Sequence, residues 1–83
     1  MKIAFKLFAS LSDYLPPGHR ENRIELDVDE DMTVAAMIHR YAVPERSAHL
    51  VLVNGVFIPP SERAARKLAE GDELAIWPPI AGG

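Results

Sequence analysis

Only one stretch of this 83-residue chain carries the spacing of a buried helix, and every other apolar run is short and strand-like. Val34, Met37, Ile38 and Tyr41 fall at i, i+3, i+4 and i+7, which lines them up as one stripe along a helix over residues 34–41. Thr33 stands where an N-cap is needed, since its hydroxyl can accept from an unpaired N–H of the first turn, and Pro44 closes the helix. One stripe covers one sheet face. The fold this permits is α+β, a sheet packed on a single main helix.

The strands follow from period-two alternation. Residues 2–8 put Ile3, Phe5 and Leu7 on one face and Ala4, Lys6 and Phe8 on the other, so Phe8 sits on the otherwise polar side. Residues 9–15 suit one or two helical turns capped near Ser10 and stopped by Pro16-Pro17-Gly18, followed by an exposed loop to Asn22. Ile24, Leu26 and Val28 then face inward from a strand antiparallel to the first. The run over 49–53 is apolar at nearly every position, the pattern of a strand buried on both faces or nearly so. Asn54-Gly55 is a type I′ hairpin signal, because both residues tolerate positive φ, and a short strand over 56–58 returns from it. Residues 61–68 are polar and helix-capable, anchored by Leu68, and Gly71-Asp72 turns the chain into a last strand over 73–77. If that strand pairs with the first, Phe8 and Trp77 emerge together on the face away from the helix, and Phe57 joins them in one of its two registers. Aromatics clustered on such a face mark a protein interface, although scattered surface aromatics are also ordinary.

Composition narrows the function classes. A chain of this length buries about 60–65% of its unfolded surface and has little room for an internal catalytic cleft. Nine basic against twelve acidic residues give a net charge of −3 without a basic block, so no nucleic-acid partner is expected. The absence of cysteine excludes disulfides, thiol catalysis and Cys-type zinc sites. No apolar run is long enough to span a bilayer, and no signal-peptide pattern follows Met1-Lys2, which makes the expected location cytoplasmic. The acidic segment from Asp27 fails as a calcium loop, with Met32 where glycine is needed and Ile38 where a bidentate glutamate is needed. His19, His39 and His49 fall on different elements, and Ser10, Ser12, Ser47 and Ser61 lack a motif, so neither a catalytic group nor a metal site is expected.

The ending is the most specific feature. The last strand runs into Pro78-Pro79, which lack backbone donors and fix φ, and then into Ile80-Ala81-Gly82-Gly83. Glycine has no Cβ, so Gly82-Gly83 could thread a narrow channel and leave a terminal carboxylate open to attack. From Pro79 onward four residues reach at most roughly 13 Å. Small residues at a terminus are also what an ordinary frayed end looks like.

Taken together, Val53-Asn54-Gly55, the turn Glu70-Gly71-Asp72-Glu73 and above all Trp77-Pro78-Pro79-Ile80-Ala81-Gly82-Gly83 resemble the small sulfur-carrier proteins of ubiquitin-like β-grasp fold. These are the small subunit of molybdopterin synthase and its relatives, including the thiamine sulfur carrier. The resemblance implies a mixed four- to five-stranded sheet on one main helix, with residues 1–79 as a single domain and 80–83 as a flexible, extended tail. It implies that the Gly83 carboxylate is adenylated by a partner, a ubiquitin-activating-type adenylyltransferase that uses ATP, and is then converted to a thiocarboxylate. In the molybdopterin branch, to which the Pro-Pro pair is more similar, Pro78, Pro79, Ile80, Ala81 and Gly82 would enter a large synthase subunit and present Gly83 to a pterin precursor. Phe8, Phe57 and Trp77 match positions of partner contact in that family. No cofactor is expected to be bound. Similar proteins serve thiamine, cysteine, tRNA thiolation or tungsten-cofactor pathways or are conjugated to lysines, and a plain interaction module is the alternative outside the family.

Overall fold

The computed structural model describes residues 1–79. Five strands form one mixed sheet: β1 (Lys2–Leu7), β2 (Arg23–Asp27), β3 (Leu50–Val53), β4 (Val56–Phe57) and β5 (Glu73–Trp77), in the order β2-β1-β5-β3-β4. The outer pairings are antiparallel, whereas β1 and β5 run parallel at the centre, with Phe5 opposite Leu74 and Leu7 opposite Ile76. A parallel pair requires a crossover. Helix α1 (Val34–Arg40) lies on that connection and covers one face. Ile3, Phe5 and Leu7 of β1, Val51 and Val53 of β3, and Leu74 and Ile76 of β5 meet Val34, Met37 and Ile38 there, all buried. Tyr41 closes the top of the stripe with its ring 5.3 Å from that of Phe5.

Thr33 caps α1, its Oγ1 accepting from the Ala36 amide at 3.1 Å. Two more free donors of the first turn are met from elsewhere: Val34 N–H donates to Arg66 O at 3.0 Å and Ala35 N–H to Arg63 O at 2.9 Å. Residues 61–68, read as helix-capable, close only a single helical turn, with Arg66 N–H donating to Glu62 O at 3.0 Å. Beyond a 3₁₀ turn at Pro60–Glu62, their carbonyls serve α1, Lys67 pairs with Thr33, and Leu68 is drawn into the core.

The other end of α1 also differs from expectation. Its terminator is not Pro44 but a Schellman motif, in which Val43 N–H donates to Ile38 O and Ala42 N–H to His39 O. Ala42 takes the left-handed position with φ +60°. A Cβ there costs about 1–2 kcal/mol, part of which glycine gives back through its looser unfolded chain. Ala42→Gly is therefore expected to stabilise the exposed turn by about 0.5–1 kcal/mol, a rise of roughly 2–8 °C in Tm. Thermal denaturation followed by circular dichroism checks this, and a lowered Tm would contradict it.

Three further expectations are corrected. The 3₁₀ turn at Ala9–Tyr14 has Phe8, not Ser10, in the cap position and makes no side-chain capping bond, because a phenylalanine ring carries no acceptor; Ala9 enters the turn with a left-handed φ of +52°. The run over 49–53 is not buried on both faces: Val51 and Val53 are, but Leu50 is 38% exposed and Leu52 half-buried. With a single helix available, only one face of β3 is covered. The returning strand β4 ends at Phe57, and Ile58 turns into the core.

The Asn54-Gly55 turn adopts φ of +51° and +82°, the left-handed pair that a type I′ hairpin needs. Asn54 does more than turn. Its side chain accepts from Glu73 N–H and donates to Asp72 Oδ1, both at 2.8 Å, while Asp72 Oδ2 accepts from Ala69 N–H at 2.8 Å. The two glycine turns are thereby tied together at the end of the sheet opposite Trp77, and the start of β5 is fixed against the hairpin.

Candidate partner-binding face and tail root

Registry decides which side chains share the face away from α1. Lys6 is opposite Ala75, Ala75 opposite Leu52, and Leu52 opposite Phe57, so these four form one row across β1, β5, β3 and β4. A second row joins Trp77 to Leu50 and continues to Phe8, which follows Leu7 at the end of β1. The rings of Phe8 and Trp77 stack at 4.2 Å between centroids with an interplanar angle of 1°. Phe57 is 50% exposed. Ala75, a single methyl between taller neighbours, is buried and makes the floor of the patch.

The result is a continuous apolar surface of Phe8, Trp77, Leu50, Ala75, Leu52 and Phe57. Its other side is charged: Lys6 pairs with Glu73 at 3.2 Å and Arg23 with Glu25 at 3.3 Å. Exposed pairs of this kind contribute under about 1 kcal/mol each, so they border the patch rather than stabilise it. The structure thus brings Phe8 and Trp77 into contact and puts Phe57 on the same face, two strands away. Sequence reasoning missed Leu50 and Leu52. Four consecutive apolar residues in β3 hide which two face outward, and the register through Asn54-Gly55 is the signal that could have told them apart.

The chain leaves the sheet beside the aromatic stack. Ile76 O accepts from Phe8 N–H and Trp77 O from His49 N–H, each at 3.1 Å. Pro78 and Pro79 have no N–H to continue either ladder. Pro78 is half-buried and Pro79 exposed. The other expected tail residues, Ile80, Ala81, Gly82 and Gly83, lie outside the described residues.

Among the described residues no group of three His, Asp or Glu side chains is placed to hold a metal ion, and no helix is long and apolar enough to cross a membrane. An open groove of about 770 Å³ runs between α1 and residues 60–64, on the far side from the apolar patch. Arg63 lies in its wall, only 8% exposed, and burial lowers its pKa while Glu45 opposes the shift.

The ThiS family model matches residues 5–83. The chain is 30% identical to SAMP1, small archaeal modifier protein 1, of Haloferax volcanii, with 100% of both chains covered and a TM-score of 0.66. It is 25% identical to the HVO 2177 protein of Haloferax volcanii, covering 100% of this chain and 87% of that one at a TM-score of 0.75. A chain from the Helicobacter pylori 26695 complex of subunits 1 and 2 of molybdopterin-converting factor is similar at 15% identity, 100% coverage of both chains and a TM-score of 0.59, a likeness of fold. No curated protein matches the chain.

Proposed function

The chain belongs to the ThiS family of ubiquitin-like β-grasp proteins, and from that membership we propose that it is a sulfur carrier charged at Gly83. The observation that supports this most is the family match itself, which runs through Gly83. In the first step a Gly83 carboxylate oxygen attacks the α-phosphorus of ATP on a partner adenylyltransferase, and pyrophosphate leaves. A sulfur nucleophile at the oxidation level of sulfide then attacks the acyl carbon, and AMP leaves a thiocarboxylate. The chain supplies no catalytic group. Its part is to dock through the outer face, with Phe8, Phe57 and Trp77 as contacts, and to present Pro78, Pro79, Ile80, Ala81, Gly82 and Gly83 to the partner's site. Within the family we favour the small subunit of a molybdopterin synthase, in the cytoplasm, with a large-subunit-like protein as second partner. The Pro78-Pro79 pair supports that branch, and a fold neighbour is part of a complex of two molybdopterin-converting subunits.

The likeness to SAMP1 favours a second reading, a protein modifier. Both readings share the adenylation step and part at the nucleophile, sulfur in one case and a lysine amine in the other. The deciding experiment is the intact mass of the protein after incubation with ATP, sulfide and the activating enzyme of its own cell. A gain matching sulfur for oxygen at Gly83 is expected. Residues 68–83, the segment that follows the last basic residue Lys67, joined through Gly83 to lysines of other proteins, without that gain, would select the modifier. Neither product with any cognate activating enzyme would leave only an interaction module.

A further inference from the structure

Resting on the carrier reading, we infer that Arg63 is a positioning residue for the tail, acting through His49 to fix the point at which the chain leaves the sheet. His49 N–H makes the last backbone bond to β5, donating to Trp77 O at 3.1 Å, and two residues without N–H groups follow. Among the described residues this bond is the final tether of the tail root on the β3 side. His49 itself precedes β3, which starts at Leu50, and follows a 3₁₀ turn at Glu45–Ser47, so no strand ladder holds it in register.

Arg63 does hold it. Its guanidinium donates to Ala48 O at 2.8 Å and to His49 O at 3.4 Å, and its Nε donates to Ile58 O at 3.3 Å. One planar fork thus fastens the entry of β3 to the exit of β4. No carboxylate among the described residues forms an ion pair with it. A buried cation satisfied by three carbonyls is a costly way to fill space, and an apolar side chain would fill it without desolvating a charge. What the fork supplies is direction: its donors fix two successive carbonyls, and with them the amide between them that holds Trp77. Lysine offers a single point of attachment and cannot reproduce that geometry.

The test uses the full chain, its cognate activating enzyme, and the variants Arg63→Lys, Arg63→Met and His49→Pro, the last deleting the tether's donor. Adenylation is followed by pyrophosphate release. For Arg63→Lys we expect kcat to fall on the order of 10-fold with KM within about twofold, because the docking face is untouched while the tail is misdirected. In native-state hydrogen exchange of the free protein, the His49 amide should lose on the order of 10-fold more protection than the amides of Phe5 and Leu74. His49→Pro should reproduce the kcat loss, and combining it with Arg63→Lys should add little, since both break one linkage. A folded Arg63→Lys with wild-type kcat overturns the inference, as does a protection loss spread evenly over the core, which would make Arg63 a structural staple only. Should neither Arg63 variant fold, an unchanged kcat in His49→Pro overturns it as well. A wild-type chain that is never adenylated would instead sink the carrier reading, and the exchange pattern would still decide whether Arg63 holds the tether.

Discussion

Removing Gly83, or adding one residue after it, is expected to lower thiocarboxylate formation on the order of 100-fold or more while leaving the melting temperature unchanged. Either change moves the reacting carboxylate by one residue, about 3.3–3.6 Å, which is as large as the whole separation of reacting atoms in a near-attack geometry. An added residue other than glycine also puts a Cβ beside the carbon to be attacked. The core of the described residues is complete without this change, its buried side chains running from Ile3 to Ile76. The measurement is adenylation and sulfur incorporation by mass, with thermal denaturation of the same samples. Undiminished sulfur transfer by a folded variant would refute the carrier mechanism. A folded variant that still binds the activating enzyme but is not charged would locate the chemistry at the tail and the affinity elsewhere.

How much of this was legible in the chain depends on how far apart the cooperating residues lie. The α1 stripe and its Thr33 cap are local, spaced within two turns, and the structure realises them as read. The Asn54-Gly55 turn is equally local. The central parallel pairing of β1 with β5 joins residues about seventy positions apart, yet its consequence, Phe8 beside Trp77, is readable because both break the alternation of their strands by putting an aromatic on the polar side. Leu50 and Leu52 are different. They sit in a run with no polar residue to betray an outer face, and only the availability of a single helix leaves them uncovered. Least legible are bonds whose donor and acceptor belong to unrelated segments. Nothing in residues 60–68 says that their carbonyls will complete the first turn of α1, and nothing marks Arg63 as different from its exposed neighbours until it is seen bridging Ala48, His49 and Ile58.

Trp77→Ala is expected to weaken binding to the activating enzyme, or to a large-subunit-like partner, by about 2–4 kcal/mol, roughly 30- to 1,000-fold in Kd. Trp77 stands in the middle of the row Phe8-Trp77-Leu50, stacked on Phe8, opposite Leu50 and directly before Pro78. A central aromatic walled in by near-neutral contacts is where binding energy concentrates. Folding should suffer less, by about 0.5–1.5 kcal/mol for the lost aromatic pair, since the side chain is only half-buried in the free protein. The bordering ion pairs are already compensated within the chain, so binding should depend only weakly on salt. Val56 provides the control. Among the described residues it is the most exposed large apolar one at 63%, but its pairing with buried Val53 puts it on the helix side of the hairpin. Titration calorimetry of Trp77→Ala and Val56→Ala against the same partner therefore separates two explanations of affinity. If exposed apolar area alone drove association, Val56→Ala would cost as much as Trp77→Ala; if the outer face is the docking surface, it should cost almost nothing.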